Sequence, residues 1–243
     1  MAGNEQISRR KKIAFVCSGG ATKAAAFHMG VSLALQEKGF RFLGGLKGKS
    51  PSTQSSRGPL DIDTYVGSSA GSLIATYLAA GYSVDQIFNS YLGKASESPL
   101  KPMTYGTLMS VKASQHEAAD KESLTRKIRS LTTSAIDLLY RRQNLLSLSG
   151  LFTTSGIEAY IREEVLPSNR FADYSADLCV VATQLNHSKR VIFCKHQLDP
   201  PADDPRCLYE TAVAISDSIA ASVALPPIFY PYGIKNKKGK LIY

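Results

Sequence analysis

Asp63-Thr64-Tyr65-Val66-Gly67-Ser68-Ser69-Ala70-Gly71-Ser72-Leu73-Ile74 is the stretch from which the rest of the chain can be ordered. It begins as a short β-prone run, passes through Gly-x-Ser-x-Gly, and continues as a helical run through Ala75, Tyr77 and Ala79 to a stop at Gly81. A serine between a strand and a helix sits on a tight turn that lifts its hydroxyl clear of the neighbouring backbone. Gly67 and Gly71 flank it because the turn brings backbones together where a Cβ would collide. The same turn puts the hydroxyl at a helix N-terminus, where free N–H groups and the helix dipole favour developing negative charge. Ser69 is therefore the candidate nucleophile, with Gly67, Ser68, Ala70 and Gly71 completing its motif.

A second turn of related design lies upstream. Ile13 to Cys17 is β-prone and runs directly into Ser18-Gly19-Gly20-Ala21-Thr22-Lys23. A helical stretch from Ala24 to Glu37 follows, with Phe27, Val31 and Leu35 at helical spacing and Gly39 as its stop. Strand, glycine-rich turn and helix N-terminus together form an anion cradle. Its ligand is either a nucleotide phosphate or the oxyanion of an acyl intermediate. Neither Gly-x-x-x-x-Gly-Lys-Ser/Thr nor Gly-x-Gly-x-x-Gly is present, which disfavours the nucleotide. The chain does supply a nucleophile, so the N–H groups of Gly19, Gly20 and Ala21 read as an oxyanion hole, with Lys23 beside it.

The 243 residues suit one α/β domain, and the balance of 44% hydrophobic to 20% charged residues is that of an ordinary folded protein. No apolar run approaches the ~20 residues of a membrane-spanning helix. The basic N-terminus, Arg9-Arg10-Lys11-Lys12, leads into an apolar run too short for a signal peptide. Cys17, Cys179, Cys194 and Cys207 show no C-x-x-C spacing, so neither a zinc site nor a disulfide framework is indicated. No metal and no cofactor are expected. The net charge of +9 serves solubility or draws the chain to an anionic surface. Aromatics do not interleave with the basic clusters, which argues for lipid over nucleic acid.

Residues 44–59 form a Gly/Ser/Pro/Lys connection, and Val84 to Leu92 a short helix. Residues 93–150 are a candidate lid or helical insertion, with an amphipathic basic stretch at 121–148. A turn at 150–156 caps a helix over 157–166. Strands are expected at 178–183 and 190–195, joined around Asn186-His187. A small-residue helix is expected from Tyr209 to Ala224, ending at Pro226-Pro227. Two last strands, Ile228 to Tyr232 and Lys240 to Tyr243, flank a basic turn. Strands alternating with helices predict α/β layers on a mainly parallel sheet.

Ser18 to Val31 resembles the glycine-rich loop and first helix of the patatin-like phospholipases, and Gly67 to Ser72 resembles their nucleophile elbow. Val181 to Asn186 and Ala220 to Phe229 are similar to two further blocks of that family. The resemblance implies a patatin-like three-layer α/β/α domain over 1–243 and a Ser/Asp dyad without histidine. It places the aspartate, in an Asp-Gly-Gly/Ala motif, directly after Tyr243, so the 1–243 chain by itself is expected to be nearly inactive. Two positions depart from the family pattern: Ala21 and Ala24 stand where glycines are usual. Either one would be strained at positive φ by ~1–2 kcal/mol.

His28, His116, His187 and His196 supply no ordered triad, and Asp61 and Asp63 fall at the far end of the elbow strand. Asp217 reads as a helix cap. The expected function is a lipid acyl hydrolase of phospholipase A or lysophospholipase type, acting on lipid esters at an anionic membrane surface from the cytoplasmic side. A protein activator is left open. The alternatives are a membrane-surface binding module with an impaired site, and a neutral-lipid lipase or thioesterase on the same scaffold.

Overall fold

A computed structural model describes residues 12–48, 58–94, 98–104, 107, 110–111, 152–226 and 228–235. Its elements run β1 (Ile13–Cys17), α1 (Ala21–Glu37), β2 (Arg41–Phe42), β3 (Asp61–Ser68), α2 (Ala70–Ala80) and α3 (Val84–Tyr91). They continue through β4 (Ser110–Val111), β5 (Phe152–Thr153), α4 (Ser155–Tyr160), β6 (Asp177–Gln184), β7 (Lys189–Phe193), β8 (Cys207–Glu210) and α5 (Ile215–Val223). The fold is a three-layer α/β sandwich around a mostly parallel sheet.

The sheet order is β1-β3-β6-β7-β8, with β2 pairing the start of β3. β1, β2 and β6 all run parallel to β3, while β7 turns back antiparallel to β6. β3 is central and reads as a buried strand must, with Ile62 and Tyr65 at 1% and 0% exposure. Burying such side chains is worth roughly 1.5–3 kcal/mol apiece. Every residue of α2 from Ala70 to Ala79 is buried. That burial is why its sequence has no polar face.

Several local signals act as expected. Gly81 ends α2 in a left-handed conformation with φ 98°, and Gly39 follows α1 with φ 88°. At α3, Ser83 Oγ accepts from the Gln86 N–H (3.1 Å) while Gln86 Oε1 accepts from the Ser83 N–H (2.9 Å), a reciprocal cap. Other expectations are corrected. α1 starts at Ala21, three residues before Ala24. The helix expected from Tyr209 to Ala224 is two elements: Cys207–Glu210 pairs with β7 as strand β8, and only Ile215–Val223 is helical. Pairing with β7 overrides the small-residue pattern there. α4 begins at Ser155 and passes into a wider turn over Ile161–Val165. Ile228 to Tyr232 is not a strand but a single bridge from Phe229 to Phe152. The segments 112–151 and 236–243, which hold the basic amphipathic stretch and the last expected strand, lie outside the described residues.

Candidate active site

Ser69 stands between the end of β3 and the start of α2 with φ 52° and ψ −127°. An L-residue visits that region only under constraint, at a cost of about 1–3 kcal/mol. The constraint is visible in the backbone around it. A Cβ on Gly67 would lie 2.4 Å from Ser72 Cα, and one on Gly71 would lie 2.2 Å from the Cys17 carbonyl oxygen. Gly71 thus does more than close its own turn, since it lets the first turn of α2 rest on the end of β1. The Ser69 carbonyl accepts from the Ser72 N–H (2.9 Å) and from Ser72 Oγ (2.6 Å). The Ser69 N–H donates to Ser222 Oγ at 2.7 Å, and that hydroxyl donates in turn to the Val181 carbonyl at 2.7 Å. One hydroxyl from α5 therefore ties the elbow to β6. Sequence reasoning quoted Ser222 only as part of a block; nothing local in the sequence signals a bond 153 residues away.

The glycine-rich loop passes along the Ser69 side chain. A Cβ on Gly19 would sit 3.0 Å from Ser69 Cβ and 3.7 Å from Ser69 Oγ. Gly20 caps α1 with φ 144°, and Ala21 opens the helix at φ 53°. Of the two alanines that depart from the glycine pattern, only Ala21 takes a positive φ; Ala24 lies inside the helix. Among the described residues, none accepts a hydrogen bond from the N–H of Gly19, Gly20 or Ala21. Those groups are left at a helix N-terminus beside a hydroxyl, where an oxyanion would be held. His28, 4% exposed on α1, has Nε2 2.9 Å from the Ser18 carbonyl and so pins the loop to the helix. Lys23 is exposed in the first turn of α1.

The other polar candidates are placed elsewhere. Asp61 accepts from Arg41 Nε and Nη2 at 2.6 and 2.7 Å. Asp63 is the third residue of β3, roughly 20 Å from Ser69 at ~3.3 Å per residue. Asp217, in the first turn of α5, accepts from the Tyr232 hydroxyl at 2.7 Å. His187 is exposed on the β6–β7 turn. His196 Nε2 lies 3.0 Å from Asp177 Oδ1 at the N-terminal end of β6. A cavity of about 480 Å³ opens at that end, among Lys12, Lys47, Asp63, Asp177, Lys195 and His196. Burial pushes the Asp177 carboxyl up, but hydrogen bonds from Lys12, Lys195 and His196 outweigh it and hold the group well below the usual carboxylate range. No group of three or more metal-ligating side chains occurs among the described residues.

The sequence profile of one family, "Patatin: Patatin-like phospholipase", matches residues 15–242. An adenylate kinase from Campylobacter curvus (strain 525.92) is 26% identical over 129 residues, which is 53% of this chain and 68% of that protein. The turn after β1 lacks the lysine and glycine spacing of a nucleotide-binding loop, so the site geometry gives that similarity no functional weight.

Proposed function

The chain belongs to the patatin-like phospholipase family, a family of lipid acyl hydrolases, and we propose that it cleaves carboxylic esters of phospholipids in the manner of a phospholipase A or lysophospholipase, with Ser69 as nucleophile. The observation that carries this reading is the loop backbone at Gly19 running beside Ser69 Oγ, its N–H groups unused by the described residues. In the reaction, Ser69 Oγ attacks the ester carbonyl as a base removes its proton. The developing oxyanion is held by the N–H groups of Gly19, Gly20 and Ala21, each such donor being worth roughly 3–4 kcal/mol at a site of this kind. Collapse expels the lysophospholipid, or from a lysophospholipid the glycerophosphodiester, with that proton, and water then releases the fatty acid from Ser69. The base in this reading is the aspartate that the family resemblance puts after Tyr243; none of Asp61, Asp63, Asp177 or Asp217 is placed to serve.

The test is active-site labelling. In the full-length protein a fluorophosphonate probe should modify Ser69 alone, and Ser69→Ala should lose both labelling and ester hydrolysis, the latter by about 10⁴-fold or more. Labelling that persists in Ser69→Ala overturns the assignment. A binding module without chemistry would take no label at all.

We further propose that the protein works as a peripheral protein on the anionic cytoplasmic face of a membrane. Support comes from the net charge of +9. Lys12 contributes little, since it is paired with Asp177. Sedimentation with phosphatidylserine vesicles should exceed that with phosphatidylcholine and should fall as salt rises. Equal, salt-indifferent binding would remove the electrostatic part.

A further inference from the structure

Two of the four cysteines are brought together by the sheet, away from the elbow. β6 and β7 pair antiparallel with Val180 opposite Phe193 and Val181 opposite Ile192. One step further along the same register, Cys179 stands opposite Cys194. The Cys194 N–H donates to the Glu210 carbonyl at 3.1 Å, as the Arg190 N–H donates to that of Arg206 at 3.0 Å. Both therefore turn their backbone groups toward β8, which leaves Cys179 and Cys194 facing each other as a pair without a hydrogen bond between their backbones. Pairs of that kind hold their Cα atoms only about 4.5 Å apart and their side chains closest. Disulfides span Cα separations of roughly 4.4–6.8 Å, so this pair lies at the short end of what the bond accepts.

We propose that Cys179 and Cys194 form a redox-active dithiol that closes to an intramolecular disulfide by exchange with a small-molecule disulfide. The surroundings fit the chemistry. The two thiols act on each other directly, and this holds the Cys194 thiol down and pushes Cys179 up. Such a pair ionises as a unit, sharing one proton between two sulfurs. Cys194 is 2% exposed and its thiol donates to the His196 carbonyl at 3.1 Å, while Cys179 is half-buried and so the more accessible of the two. Cys179 Sγ attacks one sulfur of the reagent as its proton passes to the Cys194 thiolate, forming a mixed disulfide, and the expelled thiolate takes that proton up in turn. Cys194 Sγ then attacks Cys179 Sγ and expels the second. Two protein thiols and one disulfide become one protein disulfide and two thiols; the cysteines are oxidised and the reagent reduced. Cys17 and Cys207 are internal controls. Both are buried, and burial pushes the Cys17 thiol up to about 12 and raises that of Cys207.

The reduced protein is incubated with glutathione disulfide without oxygen, quenched with iodoacetamide and mapped by mass spectrometry. A Cys179–Cys194 bridge is expected to form at least about tenfold faster than Cys17 or Cys207 reacts, and dithiothreitol should reverse it. Cys194→Ser should instead accumulate a glutathione adduct on Cys179; if that variant does not fold, the wild-type map decides alone. A lasting adduct on Cys179 in the wild type, equal reaction at Cys17 or Cys207, or an inert native chain whose denatured form reacts would each overturn the proposal. None of these readouts depends on Ser69.

Discussion

The two ends of the central strands are built from different materials. At the C-terminal ends of β1 and β3, the chain offers backbone N–H groups, one hydroxyl and two strained residues, Ala21 and Ser69. Charges gather instead at the N-terminal ends, and they are taken up by one another. Arg41 clasps Asp61, while Lys12, Lys195 and His196 converge on Asp177. Lys195 also donates to the carbonyls of Tyr174 and Ala176 at 3.2 and 2.9 Å. The cavity therefore lies among groups whose charges are largely satisfied, whereas the end that carries Ser69 has backbone donors unused by the described residues. On the proposed reading, strain and unused backbone N–H groups mark the site, and titratable side chains and empty volume do not.

That contrast is most easily broken at Gly71. The added Cβ of Gly71→Ala would strike the Cys17 carbonyl, which is backbone and cannot swing aside. The expected loss is about 3 kcal/mol, lowering Tm by roughly 6–12 °C in a domain of this size, and fluorophosphonate labelling should vanish with it. An unchanged Tm by calorimetry would mean that the two turns are not docked as described.

At the opposite end, Asp177→Asn leaves the nearly buried Lys195 without its counter-ion. A loss of about 2 kcal/mol is expected, less than for a fully buried pair because Asp177 remains partly in contact with water. The sign with pH follows from a carboxyl held below its ordinary range. Its contribution is complete above the unfolded value near ~4 and is lost as pH falls toward the folded one. Denaturant titrations should thus show wild-type stability falling below pH ~4, with a shallower acid limb in Asp177→Asn. Labelling of Ser69 should be unaffected; a slowed label would couple the two ends.

The smallest effect belongs to Ala21. Left-handed strain of ~1–2 kcal/mol is set against the ~0.5–1 kcal/mol that glycine's greater freedom in the unfolded chain costs. Ala21→Gly should therefore stabilise by about 0.5–1 kcal/mol, with labelling as fast as wild type or faster. A loss of stability would mean that the loop is not strained at that position.

The turns themselves were legible in the sequence because their causes are local. Gly67 and Gly71 announce a close approach, Gly39 and Gly81 announce helix ends, and a β-run before a helix announces a parallel unit. Four ordered blocks, starting at Ser18, Gly67, Val181 and Ala220, were enough to place the chain in its family. Where pattern reading failed, a distant partner had overridden the local preference. Cys207–Glu210 is a strand only because β7 lies beside it, and Phe229 bridges Phe152 without extending into a strand.

By itself the sequence determined that Ser69 lies on a strand-to-helix turn and that a second, glycine-rich turn precedes it, since both follow from the conformations glycine permits within a few residues. The tertiary structure alone decided that the second turn lies against Ser69 Oγ, that Ser222 holds the Ser69 N–H, and that Cys179 faces Cys194. Those contacts join residues 15 to 153 positions apart, and no local propensity encodes them. They arise when a sheet takes its strand order and register, because burial of β3 and α2 can then be completed in one arrangement.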